Sequence, residues 1–330
     1  MTARRTHITC LALIFGATLM AGAVRADTTL KWKFKEGDVL NYVMDNATEQ
    51  KIDRQGAVID IGTRFVFDLT WKVKSVAADG TAEMEQTVDR LQFKVTSPFA
   101  NMDYDSKSEK KPEGPIWDQM EPMMTALLGQ AFQLKVSPSG KVSDIKLPEK
   151  LAKHFADQQG GGGGGRRGLG AMLGGFSENG VKEMIQKSVL PLPEKPVTAD
   201  TKWNQSFEMV MPGAGKQKTL VTYSYSGSEQ QEGKSLDKIA TKVELTFEPA
   251  ENSQTEVEIT EQEGSATIYF DTAAGRTVKS SAKQKMKMEI AAPNQELTRE
   301  VTETSSIRMG KSPDKADTGA EKKEKAEEKK

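Results

Sequence analysis

The segment Phe65-Val66-Phe67-Asp68-Leu69-Thr70-Trp71-Lys72-Val73-Lys74 decides the fold class of this chain. Its odd positions are all apolar, and from Asp68 onward its even positions are polar. This is the period of a strand with one buried face. Such strands are typical of antiparallel sheets whose other face meets water. We therefore expect an antiparallel meander around residues 65–74.

A second strand is predicted after the turn signal Asp79-Gly80. Its apolar residues occupy even positions as far as Val88 and odd positions from Leu91 onward. One extra residue near Asp89-Arg90 would keep both sets facing the core. The change of parity therefore predicts a β-bulge at this point.

The period of two returns from Lys202 to the end of the apolar sequence. One late strand shows it clearly, with lysines at positions 279, 283, 285 and 287. The opposite parity of the same strand is mainly apolar and carries Val278, Ala282, Met286, Met288 and Ile290. This segment also predicts antiparallel strands with one wet face.

The middle of the chain has a helical period instead. Pro115 stands in the first turn of a predicted helix whose apolar stripe includes Met120, Met123, Met124 and Leu127. Further helices are predicted near residues 148–158 and 177–188. The fold class is thus α+β and β-rich, with antiparallel meander sheets before and after a central helical segment. The pattern also admits one large curved sheet with the helices packed on its concave face.

The first 26 residues have the pattern of an export signal. Arg4 and Arg5 precede an apolar run over residues 8–23, and Val24-Arg25-Ala26 offers a cleavage site. The run is shorter than the roughly 20 residues of a membrane span. We expect cleavage near Ala26 and an exported protein, periplasmic or otherwise enclosed by the envelope, with no transmembrane segment after cleavage.

Composition divides the remainder of the chain. Residues 27–159 form an N-terminal β segment with helices, and residues 160–170 form a glycine-rich linker. Residues 171–310 carry a short helix and the C-terminal β segment, which is expected to combine with residues 27–159 in one fold. Residues 311–330 are densely charged without apolar periodicity, so a disordered tail is predicted.

Charge and residue usage exclude several functions. The net charge of −1 and an aromatic content of 6% argue against nucleic-acid binding. Signal cleavage would remove the one cysteine, Cys10, and leave His154 as the single imidazole. No nucleophile motif or partner ligands accompany His154, so we predict no catalytic residue, metal or cofactor.

The methionine-rich helix offers the best functional clue. Thioether side chains adapt to irregular apolar ligands, so Met120, Met123, Met124 and Leu127 are candidates for lining a ligand cavity. The alternative is plain core packing against the sheet, which the same stripe would also serve.

Scattered positions of the chain form a recognisable set: Trp32, Gly37-Asp38, Tyr42, Asp89-Arg90, Leu192-Pro193, Pro196-Val197, Trp203, Phe270-Asp271 and Gly275. With these positions the chain resembles an uncharacterised family of secreted bacterial envelope proteins, a domain of unknown function. The resemblance spans residues 30–309 and implies export and a β-rich fold, without an activity or site residues. A looser, fold-level resemblance links the element order to periplasmic lipoprotein carriers.

Two functions follow as hypotheses. The first is an exported, non-enzymatic protein that binds an apolar or amphipathic ligand, such as a lipid, between sheet and helices. The alternative is a structural or interaction module of the envelope that recognises another envelope component and has no ligand cavity.

Overall fold

A computed structural model describes residues 27–160, 178–211, 215–251, 253–293 and 295–313. The predicted signal, residues 161–170 of the predicted linker and residues 314–330 of the predicted tail lie outside the described residues. Within them, the chain forms twelve strands and three helices, and the predicted β-rich α+β fold is confirmed.

The N-terminal part contributes six strands and two helices. The strands are β1 (Val39–Arg54), β2 (Ala57–Val76), β3 (Ala82–Thr96), β4 (Asn101–Asp105), β5 (Ala131–Val136) and β6 (Val142–Lys146). Helix α1 (Pro115–Leu127) precedes β5, and α2 (Glu149–Gly160) follows β6.

The C-terminal part begins with helix α3 (Glu178–Lys187) and continues with six strands. These are β7 (Lys202–Met211), β8 (Gly215–Gln231), β9 (Lys234–Pro249), β10 (Glu256–Asp271), β11 (Arg276–Ala292) and β12 (Gln295–Met309).

All twelve strands belong to one antiparallel sheet. Its order is β6-β5-β3-β2-β1-β12-β11-β10-β9-β8-β7, with β4 paired to β3. The two β segments join where β1 pairs with β12, for example Met44 with Ile307. The second arrangement that the sequence admitted, one large sheet, is therefore the observed one.

The predicted bulge lies where the parity of β3 changes. Arg90 pairs with Asp68 and Val88 pairs with Leu69, so Asp89 is the extra residue. The shift keeps the apolar side chains of β3 on one face, as the parity argument required. We call this the inner face; it also carries Met44 and Phe67.

The three described helices all contribute to the core on the inner face. On α1, Trp117 packs against Tyr104 of β4, with ring centroids 4.5 Å apart. Leu151 of α2 and Ile185 of α3 are buried in the same core cluster. The helices are thus on the side of the sheet that the sequence predicted to be buried.

An aromatic cluster ties the chain together near the β1–β12 seam. Trp32 lies between Trp71 of β2 and Phe270 of β10, at centroid distances of 6.2 and 5.6 Å. Its indole Nε1 donates a 2.8 Å hydrogen bond to the carbonyl of Leu190, just after α3. This cluster fixes α3 against the inner face, because Leu190 follows the helix by only three residues.

Candidate functional site: a groove on the inner face

A groove of about 590 Å³ lies between α3 and the inner face of seven strands, β7–β12 and β1. We call it the inner groove. Seven neighbouring strands span about 29 Å at the usual strand spacing, so the groove extends across the strands and not along one of them. Its lining residues are Met44, Asn46, Gly180, Glu183, Met184, Lys187, Ser188, Gln205, Phe207, Met209, Gln217, Thr219, Val221, Tyr223, Thr241, Val243, Leu245, Ala266, Ile268, Gln284, Met286, Val301, Glu303, Ser305 and Ile307.

Helix α3 forms one wall of the groove because one of its stripes is buried in the core and the neighbouring stripe faces the groove. Val181 and Ile185 face the core and are buried. Gly180, Glu183 and Lys187 lie on the neighbouring stripe, at the spacing of one helix face, and line the groove. The short predicted helix near residues 177–188 is thus confirmed, and its second face was not foreseen.

A charged contact connects this wall to the edge of the sheet. Lys187 Nζ is 2.5 Å from Glu183 Oε1 and 4.8 Å from the ring centroid of Phe207 on β7. The ammonium therefore bridges helix and edge strand through an ion pair and a cation–π contact. Enclosure by the groove raises the pKa of Glu303, and the charge of Lys187 opposes that increase.

Apart from Glu303, the floor of the groove mixes apolar and neutral polar side chains. Along β12, Val301 and Ile307 share the inner face with Ser305. Burial raises the pKa of Tyr223, whose hydroxyl donates a 3.2 Å hydrogen bond to Gln205 Oε1. A surface of this kind can hold an apolar chain and satisfy a few polar atoms along it.

The groove has a closed end and an open end. At the closed end, under α3, Met44 and Tyr223 are each 7% exposed. At the other end, the groove residue Met209 is 39% exposed. A ligand would therefore enter at the edge of the sheet where β7 ends and where β8 and β12 begin, and extend inward toward α3.

Strands β9 and β10 separate at the open end. Their pairing stops at Lys242 and Ser265, although both strands continue. Beyond that point, the side-chain amide of Gln262 replaces the ladder: its Oε1 accepts from the N–H of Leu245 at 2.7 Å and its Nε2 donates to the Leu245 carbonyl at 2.9 Å. The backbone N–H and C=O of Leu245 are therefore both satisfied where the two strands separate.

The residues predicted to line a ligand cavity lie elsewhere. Met120, Met123, Met124 and Leu127 are brought together on α1 and are buried in the hydrophobic core cluster. None of them lines the inner groove. Among the groove residues that the sequence analysis missed is Met184 of α3. It could have been found as an apolar residue that lies next to the buried stripe of Val181 and Ile185.

Two other recesses of similar volume occur among the described residues. One, of about 620 Å³, is formed mainly by the loops around residues 97–116, including the exposed Phe99. The other, of about 500 Å³, is formed by strand ends rich in carboxylates, such as Glu256 and Glu289. The inner groove is the one held largely by strands and a helix, which position a ligand more firmly than loops do.

The remaining chemistry in the described part of the chain is limited. His154 lies on α2, with its ring 6.0 Å from that of Phe155. Within the described residues, no group of three or more His, Cys, Asp or Glu side chains could hold a metal ion. No helix among them is long and apolar enough to cross a membrane.

The chain is similar in shape to several solved structures. Lipovitellin, in a structure of its lipid–protein interactions, shares 12% identity over 86% of this chain, with a TM-score of 0.42. The chain spans only 27% of the length of that protein. An outer membrane channel from Pseudomonas putida F1 shares 8% identity, with a TM-score of 0.27, over 88% of this chain and 98% of the channel.

A third similar structure is a DUF1329 family protein from Desulfovibrio piger, at 11% identity and a TM-score of 0.15. The match covers 85% of this chain and 87% of the D. piger protein. A comparison with curated protein sequences finds no match.

Sequence comparison with protein families gives a clear result. The profile described as "Family of unknown function (DUF6263)" matches residues 79–290, which is more than half of the chain. The match includes α1, α3 and most of the groove strands. It confirms the predicted resemblance to a domain of unknown function, and this chain belongs to the DUF6263 family.

Proposed function

We propose that this protein is an exported, non-enzymatic binding protein of the cell envelope whose ligand is a single-chain amphiphile. The observation that carries the proposal is the inner groove, which is enclosed at one end and open at the other. Its volume of about 590 Å³ is within the range of roughly 300–1,000 Å³ that small-molecule sites occupy. Export is supported by the signal pattern of residues 1–26.

The lining explains why an aliphatic chain would bind. Val221, Ile268 and Met286 lie on three different strands and are all partly exposed. Covering such side chains removes apolar surface from water on both partners, at about 0.8 kcal/mol for each CH₂ group of the ligand. The methionines add adaptable contacts for a flexible chain.

The polar residues of the groove limit the choice of ligand. Gln217, Gln284 and Ser305 are neutral hydrogen-bonding groups within the apolar floor. A purely apolar ligand would cover these groups without replacing their bonds to water, at a cost. A ligand with at least one polar group therefore fits better than a hydrocarbon.

A pair of serines on β12 provides a matched test. Ser305 faces the groove and lies between Asn46 and Ala282, whereas Ser306 lies on the opposite face of the same strand. Ser305→Trp should fill the groove and abolish saturable binding of a fluorescent fatty acid. Ser306→Trp should leave binding unchanged.

Protein purified from its own envelope tests both parts of the proposal. Native mass spectrometry should show a polypeptide that begins at Asp27 and carries a co-purified lipid. Absence of lipid, together with no saturable binding of the fluorescent fatty acid, would overturn the proposal. That result would favour an interaction module without a ligand.

A further inference from the structure

Arg299 lies on the inner face just beyond the open end of the groove. It is two residues before the groove residue Val301 on β12, a distance of about 7 Å along a strand. Its cross-strand neighbours are Met288 of β11 and Ile52 of β1. A half-buried guanidinium thus lies among apolar side chains, in line with the groove.

Within the part of the chain that the structure describes, this guanidinium hydrogen-bonds to a neutral side-chain amide of β1. Both Nε and Nη2 of Arg299 donate to Oε1 of Gln50, at 3.1 and 2.7 Å. Among the described residues, no carboxylate forms an ion pair with Arg299, and burial lowers its pKa. The amide oxygen therefore satisfies hydrogen bonds but leaves the positive charge uncompensated.

Another buried arginine shows the usual arrangement. Arg90 is 2% exposed, and its Nε and Nη2 donate to the two carboxylate oxygens of Asp105 at 3.1 and 2.8 Å. This is the two-pronged geometry in which guanidinium and carboxylate fit one another. Arg299 presents the same two donors to a single amide oxygen that a carboxylate or phosphate could displace.

We propose that Arg299 binds the anionic headgroup, a carboxylate or a phosphate, of an amphiphile whose chain lies in the inner groove. This inference rests on the proposed function, because it requires a chain in the groove. The order of the apolar and water-accessible ends of the groove agrees with this inference. The closed end under α3 receives the apolar tail, and the water-accessible end places the headgroup beside Arg299 and Gln50.

The experiment compares probes that share one chain and differ in headgroup. The assay measures how well each probe displaces a bound fluorescent fatty acid. The probes are hexadecanoate, 1-palmitoyl lysophosphatidic acid and the neutral hexadecanol. Arg299→Gln should weaken binding of the preferred anionic probe by roughly tenfold or more and leave hexadecanol unchanged. Arg308→Gln, on the exposed outer side of the same strand, is the control and should change neither.

Gln50→Glu gives a second variant that keeps the side-chain shape. The new carboxylate would pair with Arg299 and compete with the ligand, so anionic probes should bind more weakly at pH 7 while hexadecanol is unaffected. Arg299→Lys should retain part of the preference for anions, because it keeps the charge but loses the two-pronged geometry.

The outcomes separate the two proposals. Equal affinity for acid and alcohol in the unmodified protein, or a preference for anions that persists in Arg299→Gln, would overturn the role of Arg299 and leave the groove function intact. Failure of all three probes to bind the unmodified protein would overturn the groove function itself. A stronger response to the lysophospholipid than to hexadecanoate assigns phosphate, and the reverse assigns carboxylate.

Discussion

The two sides of the β1–β12 seam have the same alternation of inward and outward side chains, but their inner faces differ in how completely they are buried. On β2 and β3 the inner face is sealed, and Phe67, Trp71 and Leu91 are buried. On β8 and β10 the corresponding positions remain partly exposed, as at Val221 and Ile268. The first region packs α1 against its sheet, whereas the second leaves a groove beneath α3.

The residues on the two faces explain this difference. The sealed region presents almost only large apolar side chains to its helices, so close packing removes all water. The open region alternates valine, isoleucine and methionine with serine, threonine and glutamine on the same face. Sealing that face would bury polar groups without partners, which costs more than the apolar contacts return. A mixed inner face is therefore more stable when it stays accessible to water.

The largest effect on stability is expected from a substitution in the centre of the sealed region. Trp71 is 3% exposed and contacts Trp32 and Tyr42, so Trp71→Ala should lower the free energy of unfolding by about 3–5 kcal/mol. Ile268→Ala on the groove floor removes less buried surface and should cost less than about 1.5 kcal/mol. Denaturant unfolding of both variants measures the difference, and similar losses would show that the groove floor is packed like the core.

A smaller effect concerns acid stability, which the sealed region should control through its outer face. Burial raises the pKa of Asp105, but hydrogen bonds from Arg90 and from the N–H of Lys107 outweigh it and hold the pKa well below its usual range. The carboxylate therefore stabilises the fold above about pH 3.9, the ordinary pKa of an unfolded aspartate. This contribution is lost as the pH falls below that value, by at most about 1.4 kcal/mol per pH unit.

The matched measurement is the pH dependence of unfolding in Asp105→Asn. The variant should be less stable at pH 7, because Arg90 loses its carboxylate. Between pH 4 and pH 2 its stability should decline less steeply than that of the unmodified protein. Parallel curves would show that Asp105 titrates normally and contradict the assignment.

Local sequence was sufficient to predict several of the elements and the buried face of β2 and β3. The alternation of residues 65–74, the extra residue at Asp89 and the proline at the start of α1 each act within a few residues, and each matches the structure. The pairing of β1 with β12 could not be predicted in this way. It joins residues such as Met44 and Ile307, and their register depends on packing that no local period records.

The candidate site was harder to predict for the same reason. The methionines of α1 stood out because they lie close together in sequence, yet they are buried in the core. The groove residues are spread over seven strands and one helix, with two to four from each strand. A usable signal did exist in β12, where Val301, Ser305 and Ile307 share one face. Such a mixture matches neither a sealed face nor a fully wet one.

The smallest expected effect lies on the outer face of the sealed region, where the C-terminal segment docks. Ser312 donates hydrogen bonds to Oδ1 of the buried Asp68, from its hydroxyl at 2.5 Å and its N–H at 3.2 Å. Arg90 Nη1 donates to the carbonyl of Pro313 at 3.1 Å. These contacts involve residues at the start of the predicted tail, so the point of truncation should matter.

A chain that ends after Pro313 keeps these bonds and should match the full chain within about 0.5 kcal/mol. A chain that ends after Gly310 leaves Asp68 and Arg90 each without one partner, and should lose about 1–2 kcal/mol. Both truncations should bind the fluorescent fatty acid as the full chain does, because Ser312 and the groove are on opposite faces of the sheet. Equal stability of the two truncations would show that water replaces the Ser312 contact without loss. Weaker ligand binding after either truncation would show instead that the two faces are energetically coupled.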